Sequence, residues 1–293
     1  MNERTILIMG ASGMLGNAFV RLFAGSSGYR TVGAVRALSS AAGAFDGYDV
    51  ELIGGLDAES PDNLAHVMAA AKPDVVVNCV GVIKQAGNAK DVMTAVPINT
   101  LLPHRLLTLC KLAGARLVHV STDCVFSGDK GDYREGDVCD ADDVYGRTKL
   151  LGELYEAPAV TVRTSIIGHE LRGRASLLEW FLAQEGSTRG FTNAIFSGVP
   201  TTHLARIVRD FVLPDPSLSG LYHVSAAPIA KYDLLRLIAE RYGKVIAIEP
   251  DDALVINRSL DSTRFRAATG YVPPSWPDLI DEMYRNRPEG SDI

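Results

Sequence analysis

The sequence predicts an α/β fold: a doubly wound parallel sheet with a smaller, interleaved C-terminal lobe. Three observations predict it. Short, nearly continuous apolar runs alternate with helix-periodic segments through residue 164; a glycine-rich turn directly follows the first run; and the alternation weakens after Thr164, returning only in part. Apolar runs that do not alternate with polar residues suit strands covered on both faces, as in parallel sheets. A βαβα order is how such sheets are wound.

In chain order, the strands are "TILIM" (5–9), "TVGAV" (31–35), "VVVNCV" (75–80), "RLVHVS" (116–121) and "VTVRT" (160–164). Helix periodicity fills the intervals, roughly 14–25, 59–71, 98–113 and 145–156. Beyond them come a helix near 176–185, a loop, a helix over 203–213 and the strand "LYHV". The helix "YDLLRLIAERYG", the strand "KVIAI" and a helix after the "PPSWP" breaker complete the chain. The expected division puts 1–164 and 201–224 in a first domain, with 165–200 and 225–293 in the second lobe. There are no repeats or low-complexity tracts.

Composition narrows the function classes. The chain has 293 residues, of which 47% are apolar, ordinary for a folded globular protein. Its charge of −6, with acids and bases interspersed, offers no basic stripe for nucleic acid. The stretch "VVVNCVGVI" is too short to span a bilayer, and "MNERT" is not a signal peptide. Cys79, Cys110, Cys124 and Cys139 show no CxxC spacing, which fits reduced thiols better than disulfides or zinc. A cytoplasmic protein with no membrane partner is expected. The acidic stretch "YREGDVCDADDVYG" lacks a regular ligand spacing and reads as a solvated loop, so no metal site is expected.

The first strand runs into "GASGMLG", where Gly10, Gly13 and Gly16 open a helix. A tight strand-to-helix turn needs a residue tolerant of positive φ. Close approach of backbone to a pyrophosphate, and of helix to strand, needs residues without side chains. The helix start supplies free N–H groups and a positive dipole for phosphates. This context makes the turn, with Ser12, Met14 and Leu15, a dinucleotide site and the first domain Rossmann-type. NAD-specific sites of this kind hold an acid about 20 residues on, to bind the ribose hydroxyls. Here that position is Arg36, whose guanidinium suits the 2′-phosphate of NADP, with Ser39 and Ser40 nearby. NADPH is therefore the expected cofactor, with NADH tolerated. The competing reading has Asp46 or Asp49 reaching the ribose while Arg36 is solvated.

Ser121 and Thr122 end a strand at its carboxyl edge, where open α/β sheets bind ligands. "DVYGRTKLLGE" then places Tyr145 and Lys149 one helical turn apart on one face. That spacing alone is a weak motif; its weight comes from the signals upstream. A phenol with a pKa near 10 is a poor acid–base group at neutral pH, and a neighbouring ammonium lowers it.

These features resemble the extended short-chain dehydrogenase/reductases, and across most of the chain the dTDP-4-dehydrorhamnose reductase family. The resemblance is carried by "GASGMLG", "VSTDCVFSG", "VYGRTKLLGE", "VRTSIIG", "FSGVPTTHLARIV", "GLYHVS" and "NRSLDSTRF". It implies reduction of a nucleotide-linked 4-keto-6-deoxy sugar. Hydride comes from the nicotinamide, Tyr145 donates the proton, Lys149 holds the nicotinamide ribose and Thr122 holds the substrate carbonyl. Asp57 would hold the adenine amino group, Cys79, Val80 and Gly81 line the adenosine, and Asn99 support the active site. Val82, Thr122, Asp123, Cys124, Ser165, Trp180, Thr201 and Arg258 are the substrate candidates, Arg258 for the nucleotide's phosphates.

Two positions depart from the family pattern. Cys124 stands where the family usually has tyrosine, and Arg258–Ser259 replaces an Arg-Pro pair. Rival readings are a sugar-nucleotide 4,6-dehydratase, a 4-epimerase, and a non-catalytic NADP-binding regulatory subunit like the β subunit of methionine adenosyltransferase. Dehydratases of this kind place Glu after Thr-Asp, where this chain has Cys124. A homodimer is compatible with all of these.

Overall fold

The computed structural model describes residues 3–82 and 90–288. The chain begins with β1 (Arg4–Met9), α1 (Met14–Ala24), β2 (Tyr29–Ala34) and β3 (Val50–Ile53). It continues through α2 (Pro61–Ala71), β4 (Val75–Asn78), α3 (Val92–Ala95), a π-helical stretch over Val96–Leu101, and α4 (Leu102–Ala113). Next come β5 (Arg116–Thr122), α5 (Val144–Leu151), β6 (Ala159–Thr164), β7 (Ile166–Ile167), α6 (Leu177–Leu182), β8 (Ser187–Phe191), β9 (Ala194–Phe196) and β10 (Val199–Pro200). The chain ends with α7 (Thr201–Ile207), β11 (Gly220–His223), β12 (Ile229–Ala230), α8 (Lys231–Tyr242), β13 (Ala247–Asp251), β14 (Ile256–Asn257), α9 (Thr263–Thr269) and α10 (Trp276–Arg285).

Seven strands form the main sheet in the order β11-β6-β5-β4-β1-β2-β3. β1 pairs in parallel with β2 and β4, β2 with β3, and β4 with β5. The doubly wound α/β sheet is therefore present, and its winding reverses between β1 and β4, where such sheets bind ligands. The five expected runs all form strands because their side chains are covered; β4 and β6 are buried throughout. β3 escapes an apolar-run reading because it is a half-exposed edge. On one side of the sheet Leu7, Met9, Val32 and Val76 pack with Leu64, Leu102 and Leu106 from the helices. Each such leucine contributes about 2 kcal/mol by leaving water.

Caps set the helix limits. Ser60 accepts from the Asn63 N–H at 3.2 Å, with Pro61 in the first turn, so α2 starts later than the periodicity suggests. The helix expected over 98–113 instead begins at Val92, capped by Asp91, and passes through the π-helical stretch. Pro103 lacks an N–H for the Asn99 carbonyl four residues back, and the Leu102 N–H reaches Pro97 instead. α5 stops at Leu151, short of the expected 156, because Gly152 caps it.

Two compact units share the chain. One comprises Met1–Ser121, Asp142–Val162 and Pro216–Leu221; the other comprises Thr122–Ala141, Arg163–Asp215 and Tyr222–Ile293. The segment expected as a helix over 203–213 falls in the second unit rather than the first. His203 on α7 is 2.8 Å from the Glu282 carboxylate of α10 and 3.0 Å from the Tyr271 hydroxyl. Among the described residues no helix is long and apolar enough to cross a membrane.

Candidate active site

The glycine turn is built as its residue types require. Gly10 has φ +79°, and its N–H and that of Ala11 donate to the Ala34 carbonyl at 3.0 and 3.1 Å. The Gly13 N–H returns to the Gly10 carbonyl at 3.0 Å. A Cβ on Gly16 would lie 2.1 Å from that same carbonyl oxygen, so any side chain there would push α1 off the turn. Gly13 is the cap of α1 and contributes no side chain, and the helix's first turn holds no acid. The exposed Gly13 and the first turn of α1 thus fit a diphosphate, as a turn of this shape does. Leu15 is buried and Met14 half-buried beneath the turn.

Around this turn stand the other candidate cofactor residues. Ser12 is tied to β2's exit by a 3.1 Å bond from the Ser40 hydroxyl. Arg36 is exposed just past β2, and its carbonyl accepts from the Gly55 N–H at 3.1 Å. Asp57, also exposed, follows β3, and its carboxylate accepts from the Glu59 N–H. From β4, the Cys79 N–H donates to the Met9 carbonyl, and a Cβ on Gly10 would come 3.1 Å from Val80. Cys79 and Val80 therefore reach the switch point beside the glycine turn, with Gly81 exposed and Val82 buried beyond them.

Asn99 is a buried brace, not a solvent-facing helix residue. Its Oδ1 accepts from the Val82 N–H at 2.9 Å, and its amide donates to the Val82 carbonyl and the Thr148 hydroxyl, both at 3.3 Å. Thr148 in turn donates to the Tyr145 carbonyl at 3.1 Å. The π-helical stretch thus fixes both Val82, beyond β4, and the helix that carries Tyr145. A Cβ on Gly152 would lie 2.0 Å from the Asn99 carbonyl oxygen, which explains glycine at the end of α5.

α5 opens with Asp143, whose carboxylate accepts from the Gly146 N–H at 2.7 Å. Tyr145 is half-buried one turn before Lys149, which is buried and donates to the Val120 carbonyl at 2.7 Å. Burial lowers the Lys149 ammonium to about 8, and Glu153 and then Cys79 act in the opposite direction. Burial also raises the Cys79 thiol and drives the His119 imidazole well below its ordinary value, with Lys149 assisting at His119. Three buried polar groups here were not anticipated from the sequence. Asn78 donates to His119 at 3.2 Å, and the Glu153 carboxylate accepts from Ser121 at 2.7 Å and Tyr155 at 2.9 Å. The signal for Glu153 was its place four residues after Lys149; for His119 and Asn78 the sequence carries none.

The substrate candidates other than Val82 lie in the second unit. Thr122 is buried, accepts from the Cys124 N–H at 3.1 Å and donates to Asp123 at 3.2 Å. Burial raises the Asp123 carboxyl, opposed first by Arg258 and last by Lys231. Arg258 is half-buried and donates from Nε to the Phe126 carbonyl at 2.7 Å, while Phe126 stacks on Tyr133 with centroids 4.1 Å apart. The structure therefore groups Thr122, Asp123, Cys124 and Arg258. Half-buried Ser165 is bonded through its carbonyl to the Val199 N–H, and Thr201 is buried at the start of α7 against Gly168. Trp180 stands on α6 with 39% of its surface exposed. Among the described residues no group of three His, Cys, Asp or Glu could hold a metal ion.

A family model described as "RmlD substrate binding domain" matches residues 4–287. The methionine adenosyltransferase 2 subunit beta of Mus musculus is 26% identical over 318 residues, covering 97% of this chain and 90% of that protein. The dTDP-4-dehydrorhamnose reductase of Aggregatibacter actinomycetemcomitans is 25% identical over 303 residues, covering 95% and 97%. The dTDP-4-dehydrorhamnose reductase of Bacillus anthracis, solved in complex with NADP, superposes with a TM-score of 0.77 at 20% identity, covering 97% and 99%.

Proposed function

The chain belongs to the RmlD substrate binding domain family, and from that premise we propose that it is an NADPH-dependent reductase of a nucleotide-linked 4-keto-6-deoxy sugar. The observation that carries this reading is Lys149, buried, held on the Val120 carbonyl and set one turn from a half-buried tyrosine on a helix braced by Asn99. A lysine used merely for solubility would lie on the surface; burial of an ammonium is costly and is retained where its charge is used.

When bound, NADPH supplies the hydride for the C4 carbonyl. Tyr145 gives the proton to the carbonyl oxygen, and the Lys149 ammonium lowers the cost of forming its phenolate. Thr122 holds the substrate oxygen. The glycine turn and the first turn of α1 hold the diphosphate, while Arg36 and Ser40 select the 2′-phosphate. Asp57 meets the adenine, Cys79, Val80 and Gly81 the adenosine. Arg258, Ser165, Trp180, Thr201 and Val82 contact the sugar nucleotide.

The match to a methionine adenosyltransferase β subunit over nearly the whole chain makes a non-catalytic, NADP-binding subunit the second reading. One experiment separates them. The purified protein is given NADPH and a panel of dTDP-, UDP-, GDP- and CDP-linked 4-keto-6-deoxy sugars, and products are identified by mass spectrometry. A product two hydrogens heavier than its substrate, with loss of NADPH absorbance, supports the reductase. NADPH binding without turnover of any panel member favours the regulatory subunit.

A further inference from the structure

Behind Lys149 stands a carboxylate that the reaction above does not use. Glu153 is 3% exposed and lies just past the glycine that ends α5. The Ser121 hydroxyl donates to its Oε1 at 2.7 Å and the Tyr155 hydroxyl to its Oε2 at 2.9 Å. Ser121 follows Val120, whose carbonyl takes the Lys149 ammonium at 2.7 Å. Two side chains four residues apart thus grip consecutive residues of β5, immediately before Thr122.

The titratable groups around Lys149 come from each element packed there. Cys79 faces it from just past β4 and His119 from β5; Glu153 comes from its own segment, with Tyr145 one helical turn before it. His104 of α4, bonded to the Leu151 carbonyl at 2.9 Å, faces His119. Burial favours the neutral forms of Cys79 and His119, and Glu153 is the acidic side chain beside Lys149. A buried ammonium beside neutral groups sheds its proton; a fixed carboxylate opposes that loss.

We propose that Glu153 is a positioning residue of the reductase: held by Ser121 and Tyr155, its carboxylate is the counter-charge that keeps the Lys149 ammonium on the Val120 carbonyl. The inference rests on the reading of Lys149 as part of a reductase site, and its test is chosen so that the two fail separately. Glu153→Gln keeps an acceptor for Ser121 and removes the charge. Lys149 is titrated in the full chain by side-chain NMR, without substrate, its signal assigned by loss in Lys149→Arg. The expected result is a midpoint about one pH unit lower in Glu153→Gln than in wild type.

In kinetics, the deficit of Glu153→Gln in kcat/KM is expected to grow roughly sixfold between about pH 6.5 and about pH 8.5, following the lost ammonium. A titration curve that overlays the wild type overturns the proposal, even if the variant is less stable. A shifted curve in a protein that reduces no sugar nucleotide leaves Glu153's role standing and removes the reductase. Should Glu153→Gln fail to fold, Ser121→Ala loosens the same carboxylate. It must shift Lys149 in the same direction by a smaller amount, and no shift there overturns the proposal.

Discussion

Lys149 and Tyr145 tie the chemistry to measurable pH behaviour. The ammonium is present below its folded value of about 8 and is lost as pH rises through it. Turnover that needs this charge is therefore expected to fall above about pH 8, although an exposed lysine stays charged beyond about pH 10. A kcat/KM profile flat to pH 10 would refute the role. Tyr145→Phe keeps the ring and removes the hydroxyl proposed to donate the proton. It should leave NADPH binding nearly intact and lower turnover by about 10²-fold or more; wild-type turnover would eliminate the tyrosine as proton donor. Arg36→Ala should lower the NADPH/NADH preference, read as the ratio of kcat/KM values, and an unchanged ratio means another group meets the 2′-phosphate. Tyr145, Lys149 and Arg36 stand out as candidates in the sequence because their types and spacings suit a chemistry. Glu153, His119 and Asn78 were not, because a buried polar group's role comes from partners such as Ser121 and Lys149 that the fold brings to it.

At the scale of elements, the junction of β1 and α1 is the strictest. A methyl on Gly16 would lie 2.1 Å from the Gly10 carbonyl oxygen and 2.9 Å from the Ala11 Cα, both backbone atoms. Gly16→Ala should cost about 1–3 kcal/mol of stability and weaken NADPH binding at least tenfold or so by moving the first turn of α1. Thermal melts and a cofactor titration check both, and wild-type affinity would show that the turn is not the diphosphate site. Apart from β3, a half-exposed edge, strands of the main sheet were readable because cover on both faces leaves short, mostly apolar runs, as in β4. The second unit's strands β7, β10, β12 and β14 are two residues each, too short to impose any period. The π-helical stretch was hidden for another reason: it overlaps a helix-periodic segment, and the chain absorbs Pro97 and Pro103 there by widening one turn.

For the molecule as a whole, each unit buries a histidine in its neutral form: His119 in the first and His223 in the second. His223 donates to the Tyr133 carbonyl at 3.0 Å and accepts from Arg163 at 2.9 Å, and burial, then Arg163, lowers it to about 3. The unfolded chain, whose histidines titrate near 6.5, binds more protons than the folded chain between those values. The stabilisation is complete above about pH 6.5 and is lost as pH falls toward 3, with His223 alone accounting for up to about 3 kcal/mol by pH 4. Urea melts across this range should show a shallower loss in His223→Gln than in wild type; parallel slopes would clear this histidine. Interleaving has a consequence in time as well as in space. β11 covers the outer side of β6, yet it begins at Gly220, long after β6 ends at Thr164. At roughly 5–20 residues per second, the growing chain carries β6 as an open edge for roughly 3–11 seconds. Unpaired edges recruit other strands. While residues 165–219 are being made, the sheet therefore waits for the strand that closes this edge.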